Sequence, residues 1–246
     1  MKIYIAVPNG YAPALPVELT PARIIYRVRG ARLYSARGNR ATRGGVMVIG
    51  ASGYTGGAPS SALIGEIVSE VAARDYEGVV LDAGDAASPL QIALANELTA
   101  AIAPKRLFVP EPIGRAVADA GVLIQTALSG GSLERHLAGA LEHFGPRVAL
   151  ECDRIRMDFT LPAYGGAGAE LSAEALEELL RTHSPGVFRS DALCVNYFTY
   201  RDGAKAHIVL FDDVLSIRRK LELAEALGIG AAFLFYPHVS DLLSEL

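Results

Sequence analysis

The stretch Tyr76-Glu77-Gly78-Val79-Val80-Leu81-Asp82-Ala83-Gly84-Asp85 decides the fold. An apolar run bounded by Gly78 and Gly84, with two carboxylates where it ends, reads as a buried strand that delivers charge to a rim. Side chains alternate along a strand, so Val80 and Asp82 share a face and position 84 follows them in the same register. Comparable β-rich runs recur on both sides. They cover 3–7, 46–50, 106–112, 121–128, 147–152 and 231–238, and a second barrel strand or hairpin is expected over 24–34. Helices alternate with them. Ser60 reads as the cap of one, with Leu63, Ile67 and Val71 on one face, and Ser88-Pro89 opens another that ends before Pro104. This alternation over 246 residues predicts a TIM (β/α)8 barrel in a single domain spanning 1–246.

One segment breaks the alternation. Residues 193–200 and 207–211 are β-rich and flank Arg201-Asp202-Gly203-Ala204-Lys205, where Asp-Gly marks a hairpin turn. A β-hairpin insertion over 183–213 is therefore expected before the last helix and strand.

Composition narrows the function classes. At 51% hydrophobic and a formal net charge of -4, the chain can bury a full core and has no general attraction for nucleic acid or an anionic membrane. No apolar stretch approaches the roughly 20 residues of a membrane span. The short apolar run after Met1-Lys2 lacks the build of a cleavable signal, so a cytoplasmic location is expected. Cys152 and Cys194 lie in apolar runs and are expected as buried reduced thiols. No HExxH or CxxC spacing appears, so no metal is expected. No cofactor is expected either, because the glycine-rich 50–57 loop has neither GxGxxG nor a following Lys-Ser or Lys-Thr. A GxSxG elbow is also absent.

Charge is uneven along the chain. Arg23, Arg27, Arg29, Arg32, Arg37, Arg40 and Arg43 share the 20–45 span with no acidic residue. They form either a solvated basic face or, through Arg23, Arg27, Arg29 and Arg32, an anion-binding patch for an acidic partner, a polyanionic glycan or a phosphate-bearing ligand. Functional side chains of a barrel come from strand C-termini and the loops after them. That placement makes Asp82, Asp85 and Glu111 the catalytic candidates. Asn9, Tyr11, Ser52, Tyr54, Gln125, Glu151, Asp153, Tyr236 and His238 are the candidates for binding a glycan or small polar ligand.

The central stretch resembles the fourth-strand motif DGxDxDxE of glycoside hydrolase family 18, the chitinase-like family. Glu77 takes the first Asp, Gly78 the Gly, Val80 the middle Asp and Asp82 the last Asp; Gly84 takes the place of the catalytic Glu. Gly78 and Asp82 match outright. A second resemblance runs from Asn196-Tyr197-Phe198 through 207–213 to Ser216-Ile217, Lys220-Leu221 and 227–230. It is similar to the family's closing segment, where a strand ending in Asp leads into a Ser-Ile-x-x-Lys helix. The glycines of 51–57 are similar to its third-strand Ser-x-Gly-Gly in altered order, and 157–166 resembles a loop carrying Pro-x-Tyr-Gly. The sixth strand departs. The family's Met-x-Tyr-Asp, which holds the substrate acetamido group, is replaced by a run whose polar groups are Gln125, Thr126 and Ser129.

The resemblance implies a barrel with a sugar cleft walled by the insertion, where Tyr197 and Tyr200 are candidate contacts. It also implies substrate-assisted hydrolysis, in which the acetamido oxygen attacks while a Glu protonates the leaving oxygen. General acid catalysis contributes roughly 10²–10⁴-fold, so glycine at 84 implies a non-hydrolytic glycan- or protein-binding barrel. Two alternatives stand beside it. One is an active glycosidase or related hydrolase with relocated carboxylates; the other is a structural or assembly protein that uses the basic N-terminal segment.

Overall fold

The computed structural model describes residues 1–36, 43–54, 57–84, 87–163 and 168–246. Arg37, Arg40, Asp85 and the Tyr164-Gly165-Gly166 run lie outside the described residues.

The chain opens with β1 (Lys2–Pro8), β2 (Leu19–Arg29), β3 (Arg32–Ser35) and β4 (Val46–Gly50). Then follow α1 (Ser61–Ala73), β5 (Gly78–Asp82), α2 (Pro89–Ala101), β6 (Arg106–Pro110), α3 (Glu111–Gly114), β7 (Gly121–Gln125) and α4 (Leu133–Phe144). Next come β8 (Val148–Glu151), β9 (Arg156–Leu161), β10 (Ala169–Glu170), α5 (Ala173–His183), β11 (Phe188–Ser190), β12 (Val195–Asp202) and β13 (Lys205–Phe211). The chain closes with α6 (Val214–Ala226), β14 (Ala231–Phe235) and α7 (Tyr236–Val239).

Eight parallel strands run in the order β1-β14-β8-β7-β6-β5-β4-β2, and β2 pairs back onto β1 to close a TIM barrel. The interior is filled by Tyr4, Val48, Val80, Phe108, Leu123 and Phe233, the inward-facing set that alternation requires. Phe233 stacks on Tyr4 at 4.6 Å and meets Phe108 edge-on at 5.0 Å. Outward-facing residues such as Met47, Ile49 and Leu81 pack under α1 and α2.

Helix starts follow the local chemistry. The Oγ of Ser60 accepts from the Leu63 amide at 3.2 Å, and Ser88 forms a capping box with Gln91 ahead of Pro89. Three strands stop short of the expected ends. β6 stops at Pro110 and β14 at Phe235, because Pro112 and Pro237 sit in the first turns of short helices where no amide donor is needed, and β7 stops at Gln125. No helix joins β1 to β2; β3 forms a hairpin with β2, so both expectations for that segment hold at once.

The Asp202-Gly203 hairpin stands where the sequence placed it, joining β12 to β13. It is the centre of a wider antiparallel sheet, β10-β9-β13-β12-β11, that also recruits residues before 183. α5 covers one face of this sheet through Leu176, against Phe198 and Val209. Phe159, Leu193 and Val195 fill the other face with Leu128. Cys152 and Cys194 are buried free thiols, and burial pushes that of Cys152 up to about 11.

Candidate functional site: the barrel mouth

Parallel registry places the C-terminal strand ends at one level. Gly50 pairs with Arg27 on one side and Asp82 on the other, while Gln125 pairs with Glu151 across β7 and β8. Val80 faces the interior, so alternation aims Asp82 above it into the mouth. The strand then ends. The Gly84 amide donates to Asp82 Oδ1 at 3.2 Å, and Gly84 adopts φ +73.

A cavity of about 440 Å³ opens here, lined by Asp82, Gly84, Glu111, Gln125, His136 and Glu151. A second space of about 220 Å³ descends beside it to Val80 and Phe233, sharing Asp82 and Glu151 and adding Asp153. Carboxylates thus stand over an aromatic floor. Glu111 opens α3 and is paired with Arg115 one turn on. Asp153 is itself perturbed. Burial raises its pKa above the ordinary aspartate value, an effect that the neighbouring His238 partly opposes.

The remaining rim residues lie toward β14 and β1. Tyr11 is 52% exposed and packs edge-on to Tyr236 at 5.2 Å, with Asn9 exposed in the turn after β1. His238 rests edge-on against Phe235 at 4.9 Å, and its buried Nδ1 has no hydrogen-bond partner. Arg154 anchors this segment, donating to the His238 carbonyl at 3.0 Å and to both Asp241 carboxylate oxygens.

Beneath the rim, a buried network fixes the loop that carries Asp153. The Asp212 carboxylate accepts from the Ile155 amide at 2.9 Å, from Ser216 Oγ at 2.7 Å and from Lys220 Nζ at 2.5 Å. Both members of the Asp212–Lys220 pair are fully buried. The Ser-Ile-x-x-Lys signature is therefore a structural clamp joining α6 to the chain after β8.

Some expectations need correction. Tyr54 is not a ligand contact: it is 4% exposed, packs in the core under α1 and α2, and donates its hydroxyl to the Gly57 carbonyl at 3.0 Å. Ser52 stays at the rim, its Cβ 4.0 Å from where a Cβ on Gly84 would stand. Tyr200 turns away from the cleft. It donates to Asp158 Oδ2 at 2.7 Å and stacks on His207, whereas Tyr197 lines a groove with Phe159 and Arg189. The proposed anion patch divides too, since Arg32 is taken up by Glu66 at 2.9 Å and the Nε of Arg23 is buried, while Arg27 and Arg29 are exposed. His136 was not foreseen, because a single histidine in a helical first turn carries no sequence signal that separates it from a surface residue.

Among the described residues, no cluster of three or more His, Cys, Asp or Glu is placed to hold a metal ion. Nor is any helix among them long and apolar enough to cross a membrane.

No family model and no curated protein matches the chain. Solved structures do. An N-acetylglucosaminidase of glycoside hydrolase family 18 from Paenibacillus barengoltzii superposes with a TM-score of 0.65 at 14% identity, over 99% of each chain. The spore cortex-lytic enzyme of Bacillus megaterium gives 0.63 at 15% identity over 99% of this chain and 73% of its own. Human YKL-39, described as a pseudo-chitinase with retained chitooligosaccharide binding, gives 0.62 at 14% identity over 95% and 91%. The chain shares the TIM-barrel fold of these structures, enzymes and pseudo-chitinase alike.

Proposed function

We propose that the barrel mouth is a glycan-binding cleft that does not hydrolyse by the family-18 acid mechanism. Gly84 carries this reading. Its φ of +73 and its amide contact with Asp82 turn the chain out of the strand where a catalytic Glu would project over the bound sugar. Without that proton donor the leaving oxygen must depart as an alkoxide. Asp82, Gln125 and Glu151 retain the acceptors and donors that sugar hydroxyl and acetamido groups need. The description of YKL-39 supports the combination of this fold with binding but no turnover. The test is titration calorimetry with N-acetylglucosamine oligomers beside a turnover assay on aryl N-acetylglucosaminides. Binding without turnover is expected; robust turnover overturns the reading.

A second reading rests on Asp153. A carboxyl with a raised pKa that shares a cavity with Asp82 and Glu151 can donate a proton as a general acid, which favours a hydrolase with relocated carboxylates. Turnover abolished by Asp153→Asn establishes this alternative.

A further inference from the structure

We propose that the cleft selects a carboxylate-bearing glycan, with Arg27 and Arg29 forming an anion subsite at its β2 edge; this rests on the glycan-binding reading above. The placement follows from the bulge in β2. Registry shifts between Ile24 and Tyr26, so Ile25, Tyr26 and Val28 all enter the outer core under α1. Arg27 is thereby turned to the other face. A Cβ built on Gly50, which follows the inward-facing Val48, would lie 3.9 Å from the Arg27 Cβ, so the two positions share the inner face. Arg29 follows Arg27 by two residues and takes the same side.

Gly50 stands between Arg27 and Asp82 in the strand registry and contributes no side chain. Strands lie roughly 4.8 Å apart, so the Arg27 and Asp82 backbones are about 10 Å apart. Both arginines are exposed, and neither makes an ion pair among the described residues, unlike Arg32. The mouth is therefore polarised. Arg27 and Arg29 border the mouth on the inner face of β2, outside the cavity that Asp82, Glu111 and Glu151 line on the far side. A neutral oligosaccharide uses only the second half. A sugar carboxylate at the β2 edge gains charge-assisted hydrogen bonds from guanidinium groups, and its hydroxyl and amide donors still meet the acidic half. The same asymmetry fixes which way the glycan lies.

The experiment compares three probes by titration calorimetry: an N-acetylglucosamine tetrasaccharide, a tetrasaccharide alternating N-acetylglucosamine with N-acetylmuramic acid, and the latter with its carboxylates methyl-esterified. The acidic glycan should bind at least tenfold more tightly than its ester at low salt, and the advantage should shrink as salt is raised. The double variant Arg27→Gln/Arg29→Gln should remove the advantage and leave the neutral tetrasaccharide unchanged, while the distant Arg218→Gln changes neither. Equal binding of acid and ester by the wild type overturns the subsite and leaves the glycan cleft standing. Failure of all three probes to bind overturns both.

Discussion

Gly84 donates its amide to the Asp82 carboxylate at 3.2 Å, so the residue that ends the central strand also holds the turn that follows. A two-residue link of this kind, with Asp accepting from its own backbone, favours a turn over continued extension. The missing acid is thus a matter of backbone path as well as side-chain identity.

Replacing Gly84 with Glu should not create a hydrolase. At φ +73 an L side chain is strained by roughly 1–2 kcal/mol, although only Ser52 Cβ approaches within 4.0 Å of the new Cβ. Urea denaturation should report a loss of that size, with no rise in aryl N-acetylglucosaminide turnover. Unchanged stability together with strong hydrolysis would show that the strand continues through 84.

Lys220→Met should be among the most damaging single changes in the chain. It leaves the Asp212 carboxylate buried without its cation, a loss of about 3–5 kcal/mol for a broken buried pair. The double variant Asp212→Asn/Lys220→Met should recover part of this in chemical denaturation. A single variant that unfolds like the wild type would contradict the clamp.

Asp153 predicts a pH-dependent stability difference. Its folded pKa is raised by burial, so the folded state holds the proton more tightly than the unfolded chain. The contribution is fully present below the unfolded value, about pH 4, and is lost as pH rises through the folded value. Asp153→Asn should therefore gain stability relative to wild type at about pH 7 compared with about pH 4. An Asn variant whose relative stability is the same at both pH values would place the carboxyl in solvent.

Tyr11→Ala should weaken glycan binding and spare the fold. The side chain is half exposed at the rim, so a glycan lying there loses its contact with the ring, whereas the edge-on contact with Tyr236 is worth only about 0.5–1.5 kcal/mol to the fold; affinity should fall severalfold while stability changes little. Calorimetry with the N-acetylglucosamine tetrasaccharide checks it; unchanged affinity would remove this rim from the site.

The barrel was legible because strand and helix periodicities alternate along the chain, and because the segments around Asp82 and Asp212 resemble those of a known barrel family. The hairpin at Asp202-Gly203 was legible from turn chemistry alone. Other features depend on distant contacts. Nothing local distinguishes Tyr54, which the outer core absorbs, from the rim residue Tyr11. The division of the arginines depends on a one-residue bulge in β2 and on Glu66 arriving from α1, neither of which a pattern of alternation contains. Likewise Asp153 owes its raised pKa to burial by the folded chain, partly opposed by His238, a residue 85 positions away.

The most direct measurement is a crystal structure of the protein grown with an N-acetylglucosamine tetrasaccharide. The oligomer should lie intact across the C-terminal mouth, with polar groups within hydrogen-bond distance of Asp82 and Glu151 and no protein carboxyl on the leaving oxygen. A ligand bound elsewhere, or one found cleaved with Asp153 at the scissile position, would contradict the non-hydrolytic cleft.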